Sequence, residues 1–225
     1  MSDRQEDVDE RVVNVTFHGI GQPKRRISAE EEQVWVGLRQ FHAILDSIAG
    51  CTHVRITFDD GNASDVQLAL PALLDRRMRA AFFVLAGRLG QVGSLSRRDL
   101  KTLLQARMII GLHGKDHLPW GKIDDGRLTA ELVDARKEIE DALGEAITWA
   151  ACPFGSYTRR VLQRLREQSF DRVYSSDRGP ARERDWLQPR NTIRACDDGQ
   201  AVRRLCECKS VSLRRWLKKA VKRLW

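Results

Sequence analysis

No stretch of this 225-residue chain approaches the roughly 20 consecutive apolar residues that a membrane-spanning helix needs. The N-terminal segment Met1–Arg11 is polar and acid-rich. It has neither the apolar core of a signal peptide nor the basic, acid-poor character of a transit peptide, so a cytoplasmic protein is expected. Cysteine is scarce and odd in number: positions 51, 152, 196, 206 and 208 are scattered in a way that suits reduced thiols and not a disulfide framework. Cys206-Glu207-Cys208 lacks the second close pair that would make a metal-site spacing. No internal repeat or low-complexity segment is evident. Acids are missing altogether from residues 209–225, which carry seven basic side chains and leave residues 1–208 with a net charge near +1 out of the total of +8. Basicity therefore belongs to the tail and not to the body of the protein.

The chain is long enough for one large domain, and its 42% hydrophobic and 31% charged content is that of a globular protein. Apolar, strand-length runs alternate with amphipathic ones. Strands are expected at Val12–Phe17, His53–Phe58, Ala80–Ala86, Arg107–Leu112, Ile147–Cys152, Asp171–Ser175 and Leu187–Arg194. Helices are expected at Ser28–Ala49, opened by a Ser28/Glu31 capping box and stopped at Gly50, and at Asp65–Arg77, Asp99–Gln105, Thr129–Leu143 and Arg159–Gln168. This alternation predicts a parallel α/β architecture, a distorted (β/α) barrel of about seven strands. Residues 1–208 form its domain and residues 209–225 a basic amphipathic helix, with Leu213, Trp216, Leu217, Ala220, Val221 and Leu224 at helical spacing.

Polar, chemically able residues recur where a strand ends: His18, Asp59 and Asp60, His113, the turn Pro153-Phe154-Gly155, and Asp177. In a parallel barrel those ends converge on one face, where catalytic groups collect. Asp59-Asp60-Gly61 is also what a plain turn looks like, since Asp-Gly is a common turn dipeptide. Two neighbouring carboxylates are nevertheless costly to bury without a cation or hydrogen bonds to offset them. Two imidazoles and one carboxylate suit a divalent ion such as Zn²⁺, and His113 and His117 are four apart, one side of a helical turn. Such a pair also occurs as surface residues; here, like the Asp-Asp pair, it directly follows a buried strand.

Together these residues resemble the polysaccharide deacetylases, carbohydrate esterase family 4, which share a homology domain with the nodulation-type chitooligosaccharide deacetylases. The resemblance spans about Val12–Arg194. Thr57-Phe58-Asp59-Asp60-Gly61 matches the first motif of that family in full, and His113-Gly114-Lys115-Asp116-His117 matches the second except that Gly114 stands where the family has a hydroxyl residue. Pro153-Phe154-Gly155 matches the core of the third. The resemblance implies a metal-dependent hydrolase that removes N-acetyl groups from an N-acetylated sugar, whether glycan, glycolipid or lipid-linked precursor. By it, Asp60, His113 and His117 hold a divalent metal ion, expected to be Zn²⁺, Asp59 is the general base, and the Phe154 N–H faces the oxyanion. Phe154, Gly155 and Tyr157 are the substrate-binding candidates, with packing as the other reading for the two aromatic rings.

The departures are specific. Ala151 stands where many members carry an arginine, and Arg190 on the last strand is the candidate to orient Asp59 instead. No histidine follows His117, so the histidine that usually protonates the leaving amine is missing, and His18 is the candidate to replace it. Asp185-Trp186 matches the fourth motif only faintly. A catalytically inactive glycan- or partner-binding member of the fold is the alternative, as is the same hydrolysis on a non-sugar amide. The tail fits an anionic membrane surface, placing the protein at the inner face of the membrane, or else a helix packed on the barrel or a partner. Nucleic acid fits it less well, because the basic residues come with an apolar stripe.

Overall fold

The continuous apolar runs, Val/Ala/Phe-rich and strand-length, have both faces to bury, and a closed parallel sheet under helices does this. In a computed structural model, which describes residues 11–207, seven such runs are parallel strands. They are β1 (Arg11–Phe17), β2 (Val54–Phe58), β3 (Ala80–Val84), β4 (Ile109–Leu112), β5 (Trp149–Ala151), β6 (Arg172–Ser175) and β7 (Leu187–Thr192). Each pairs with the next, and β7 returns to β1 with Asn14 opposite Arg190, so the expected seven-stranded barrel is closed. A two-residue strand, Ala181–Arg182, adds antiparallel to the start of β1.

Alternation along each strand divides the core in two. Val13, Val15 and Phe17 of β1, Ile56 and Phe58 of β2, and Phe82 of β3 join the main apolar cluster with the helices. Their alternates make the barrel interior, where a small cluster of Ala81, Phe83, Ala151 and Tyr174 lies among buried polar side chains. There the Asn14 amide donates to Gln188 Oε1 at 3.0 Å, and the Thr16 and Thr57 hydroxyls meet at 2.8 Å. Gly111 is required by this packing: a Cβ on it would lie 2.6 Å from the Phe83 ring.

Outside the barrel lie α1 (Leu38–Ile48), α2 (Leu70–Asp75), α3 (Arg97–Gln105), α4 (Ala135–Leu143), α5 (Arg159–Glu167) and α6 (Gly199–Glu207). The single helix expected over residues 28–49 is two. Ser28 does form its capping box with Glu31, but that helix ends after one turn, Ala29–Glu32. Trp35–Val36 then pairs with Gly19–Ile20, and the Trp35 indole lies over Gly19, where a Cβ would sit 2.2 Å from it, while donating to Gly21 O at 2.8 Å. Gly37, in extended conformation, starts α1. The π turns Asp65–Ala69 and Ala130–Asp134 precede α2 and α4. Helix α6 carried no expectation; it packs against α1, with Gly199 close enough that a Cβ would meet Ala43 O at 2.9 Å. The tail, residues 209–225, and the domain boundary before it lie outside the described residues.

Candidate active site

Because the strands are parallel and closed, the residues after their C-terminal ends share one rim. Asp59 prolongs the β1–β2 ladder, its amide donating to Phe17 O at 3.0 Å. Asp60 (φ +76°) and Gly61 (φ +67°) are both left-handed, and this turn brings two adjacent carboxylates into one site instead of onto opposite faces. An aspartate tolerates that conformation better than most side chains.

The two carboxylates have different surroundings. Asp59 is gripped by Arg190 from β7, with Nη1 to Oδ1 and Nη2 to Oδ2 both at 2.6 Å, and Arg190 also donates to Thr57 Oγ1 at 3.2 Å. Both side chains are buried, and the guanidinium carbon lies 5.1 Å from the Phe83 ring centroid and 5.5 Å from that of Tyr174. Burial pushes the Asp59 carboxyl up, but the charges of Arg190 first, then His113 and His18, outweigh it and hold the group at about 2.

Asp60 faces both histidines, whereas Asp59 approaches only His113, its Oδ2 3.7 Å from Nε2. The Asp60 Oδ1 lies 3.6 Å from His113 Nε2 and 3.5 Å from His117 Nε2, and it is buried without a hydrogen-bond partner. His113 Nδ1 is 2.8 Å from Ala151 O. A carbonyl can only accept, so Nδ1 carries a hydrogen and Nε2 is the ring atom turned to the site. Burial, then His113, pushes His117 down to about 4, so that its ring is neutral near pH 7. The three donor atoms lie within 4.8 Å of one another. Bonds of 2.0–2.1 Å to a tetrahedral ion put neighbouring ligands about 3.3 Å apart. The cluster therefore fits a small divalent cation: donor atoms face each other at nearly ligand-to-ligand separation, with no hydrogen bond between them.

Phe154 is left-handed (φ +56°), 67% exposed, and its ring centroid lies 4.4 Å from that of His117. Gly155 is also left-handed (φ +61°), and a Cβ there would meet the Ser176 nitrogen at 2.6 Å. Tyr157 is a correction to the expected substrate-binding set. It is buried, and its hydroxyl donates at 2.7 Å to Asp177 Oδ2, which also receives the Ser175 hydroxyl, so it packs and offers no face to a ligand. His18 is partly buried beside the aspartates; its Nδ1 has no hydrogen-bond partner and its carbonyl accepts from the Asn62 side chain.

Two further buried carboxyls flank the site, each in a π turn, and neither stands out in the sequence. Asp65 has no hydrogen-bond partner on either oxygen, and burial, then the charge of Asp60, pushes it well above the carboxylate range. Asp65 looks like an ordinary helix-start residue in sequence. Glu131 is buried behind the His113–His117 segment, where helical spacing alone would place a solvated acid.

A sequence profile described as polysaccharide deacetylase matches residues 47–173. The chain is 26% identical over 128 residues to YxkH of Bacillus subtilis (strain 168), a polysaccharide deacetylase by name; the match takes in 57% of this chain and 46% of that protein, so less than half of that relative's length is spanned. In fold it is similar to the Streptococcus pyogenes deacetylase PplD (TM-score 0.77, 18% identity, 88% of this chain and 99% of that one). It is similar also to IcaB from Ammonifex degensii (TM-score 0.72, 22% identity, 88% and 98%).

Replacing Arg190 tests the electrostatics. Asp59 has its folded pKa below its ordinary 3.8, so its contribution to stability is present above about pH 4 and is lost as pH falls through about 2. Arg190→Met leaves a buried carboxylate without its partner, an expected cost of about 3–5 kcal/mol near pH 7. Urea midpoints measured between pH 2 and 7 should show this loss and a flattened acid limb; a wild-type pH profile would contradict the assignment.

Proposed function

Given that the chain belongs to the polysaccharide deacetylase family, we propose that it is a metal-dependent hydrolase that removes the N-acetyl group from an N-acetylated sugar, whether glycan, glycolipid or lipid-linked precursor. The observation that carries this reading is the division of labour between neighbouring aspartates, Asp60 facing two imidazoles and Asp59 held by Arg190. Asp60, His113 and His117 would hold a divalent ion, Zn²⁺ by the chemistry of the donor set, which when bound polarises an amide carbonyl and makes a water acidic.

The chain's own groups account for the rest. Asp59 takes the proton of the attacking water. Its pKa of about 2 keeps it charged at every physiological pH but makes it a weak base, suited only to a water that is already acidic. Arg190 keeps that carboxylate deprotonated and oriented. The Phe154 N–H donates to the oxygen that becomes negative as water adds to the acetyl carbon. As the C–N bond breaks, the nitrogen must gain a proton, and His18 is the proposed donor, since it follows β1 directly, as Asp59 and Asp60 follow the neighbouring β2, and its Nδ1 has no hydrogen-bond partner. The exposed Phe154 ring is the wall against which a sugar would lie, and Gly155, buried with its backbone against Ser176, fixes the turn that presents it.

We further propose that the protein works in the cytoplasm with residues 209–225 against an anionic membrane surface. The support is compositional: seven basic residues, no acid, and apolar residues at helical spacing. Among the described residues no helix is long and apolar enough to cross a membrane.

Acetate release from N-acetylhexosamine oligomers tests the reaction. Asp59→Asn should lower kcat by about 10²–10⁴-fold, and His113→Ala should abolish both turnover and bound divalent ion; undiminished turnover in both variants would refute the proposal. His18→Ala should lower kcat by about 10²-fold or more with metal content unchanged; full turnover would remove His18 from the mechanism and leave the metal reading standing. Vesicles containing phosphatidylserine should sediment with the full chain at low salt but not with a chain ending at residue 208; equal sedimentation of both would refute the tail assignment.

A further inference from the structure

The second motif-like segment departs from its family at Gly114, and the space this creates is filled. Gly114 is left-handed (φ +94°), and a Cβ on it would lie 2.1 Å from Glu131 Oε2. The Glu131 carboxylate, 1% exposed, enters this gap from the π turn Ala130–Asp134. Its Oε1 accepts the Asp116 amide at 2.7 Å and its Oε2 accepts the Trp120 indole N–H at 3.1 Å. A π turn inserts one residue into a helix and re-aims the side chains that follow the regular spacing, and such turns are frequent at functional sites.

On its other side the same loop is tied to the segment after β3. The Ala86 and Gly87 amides donate to the Gly114 and Lys115 carbonyls at 2.9 and 3.1 Å. Lys115 is paired outward with Glu138. These bonds fix the loop up to Lys115. The Lys115–Asp116 peptide unit is held at both ends, its carbonyl by the Gly87 amide and its N–H by Glu131, and one residue further on His117 holds a left-handed backbone (φ +57°) that a free loop would not favour.

From this juxtaposition we infer that Glu131 is the positioning residue of the His117 side of the metal site, and that Gly114 is glycine because Glu131 needs the room. A buried carboxylate occupies the space beside Gly114 and braces the loop. The inference rests on the reading that Asp60, His113 and His117 bind a metal ion, and it concerns only this chain's hold on His117.

The test uses the Co²⁺-loaded full chain, its affinity read by chelator competition and its ligand field by the visible d–d band. Groups that orient metal ligands typically contribute 10–100-fold in affinity. Glu131→Ala should weaken Co²⁺ binding by about that much and shift the band, a change that a loss of general packing would not confine to the ion. Gly114→Ala should weaken binding in the wild-type background and by a smaller factor in the Glu131→Ala background, where the clash with Oε2 is gone and only the strain of φ +94° and a 3.2 Å approach to Trp120 Nε1 remain. Additive losses, or Co²⁺ affinity unchanged in Glu131→Ala, would overturn the inference. Should Glu131→Ala not fold, Glu131→Gln decides: it keeps the volume but can accept from only one of the two donors, so a several-fold loss supports the assignment and wild-type affinity refutes it. A wild-type chain that binds no Co²⁺ would instead bring down the metal reading itself.

Discussion

The buried contact between Arg190 and Asp59 is the constraint on which the rest of the site depends. Its partners are 131 positions apart and meet only because β7 closes on β1, in the register that sets Asn14 beside Arg190 and Arg55. An ion pair taken out of water has a large desolvation cost, recovered only with good geometry and further hydrogen bonds. Here the fork is bidentate, Thr57 takes another donor hydrogen, and two aromatic faces cover the guanidinium. With the charge of one aspartate balanced in this way, its neighbour can face both histidines while Asp59 lies beside His113 alone.

That separation needs unusual backbone. Asp60, His117 and Phe154 each adopt positive φ, and each lies beside or near a glycine that does the same: Gly61, Gly114 and Gly155. Left-handed non-glycine residues cost about 1–2 kcal/mol apiece, so surrounding structure must enforce them. The barrel supplies that enforcement through the Phe17–Asp59 ladder bond, the brace from Glu131 and the close approach of Gly155 to Ser176. Each of the three turns aims a group that an extended strand would point elsewhere.

Much of this was legible in the amino-acid sequence because it is local. Strand-length apolar runs bounded by polar ends show the barrel strands, and the three short motifs at those ends show where chemistry collects. The 28–49 stretch misleads because helical spacing persists in Val34 and Leu38 while the chain between them leaves the helix to pair Trp35–Val36 with Gly19–Ile20. Tyr157 misleads for a related reason: an aromatic residue after a motif looks the same whether it lines a cleft or, as here, is buried with its hydroxyl on Asp177. Glu131 and Asp65 were invisible because a carboxylate at helical spacing reads as solvated, and only the π turns reveal otherwise.

By itself the sequence determined which strands exist, which donor atoms stand at their ends, and that a conventional arginine and a late histidine are missing. Periodicity and residue chemistry are properties of short segments. Tertiary structure alone decided that Arg190 grips Asp59, that Asp60 turns toward His113 and His117, that Tyr157 is buried, and that Glu131 occupies the space left by Gly114. Those are relations between segments 15 to 131 positions apart. They follow from barrel closure, which brings distant side chains within hydrogen-bond range and which no local pattern encodes.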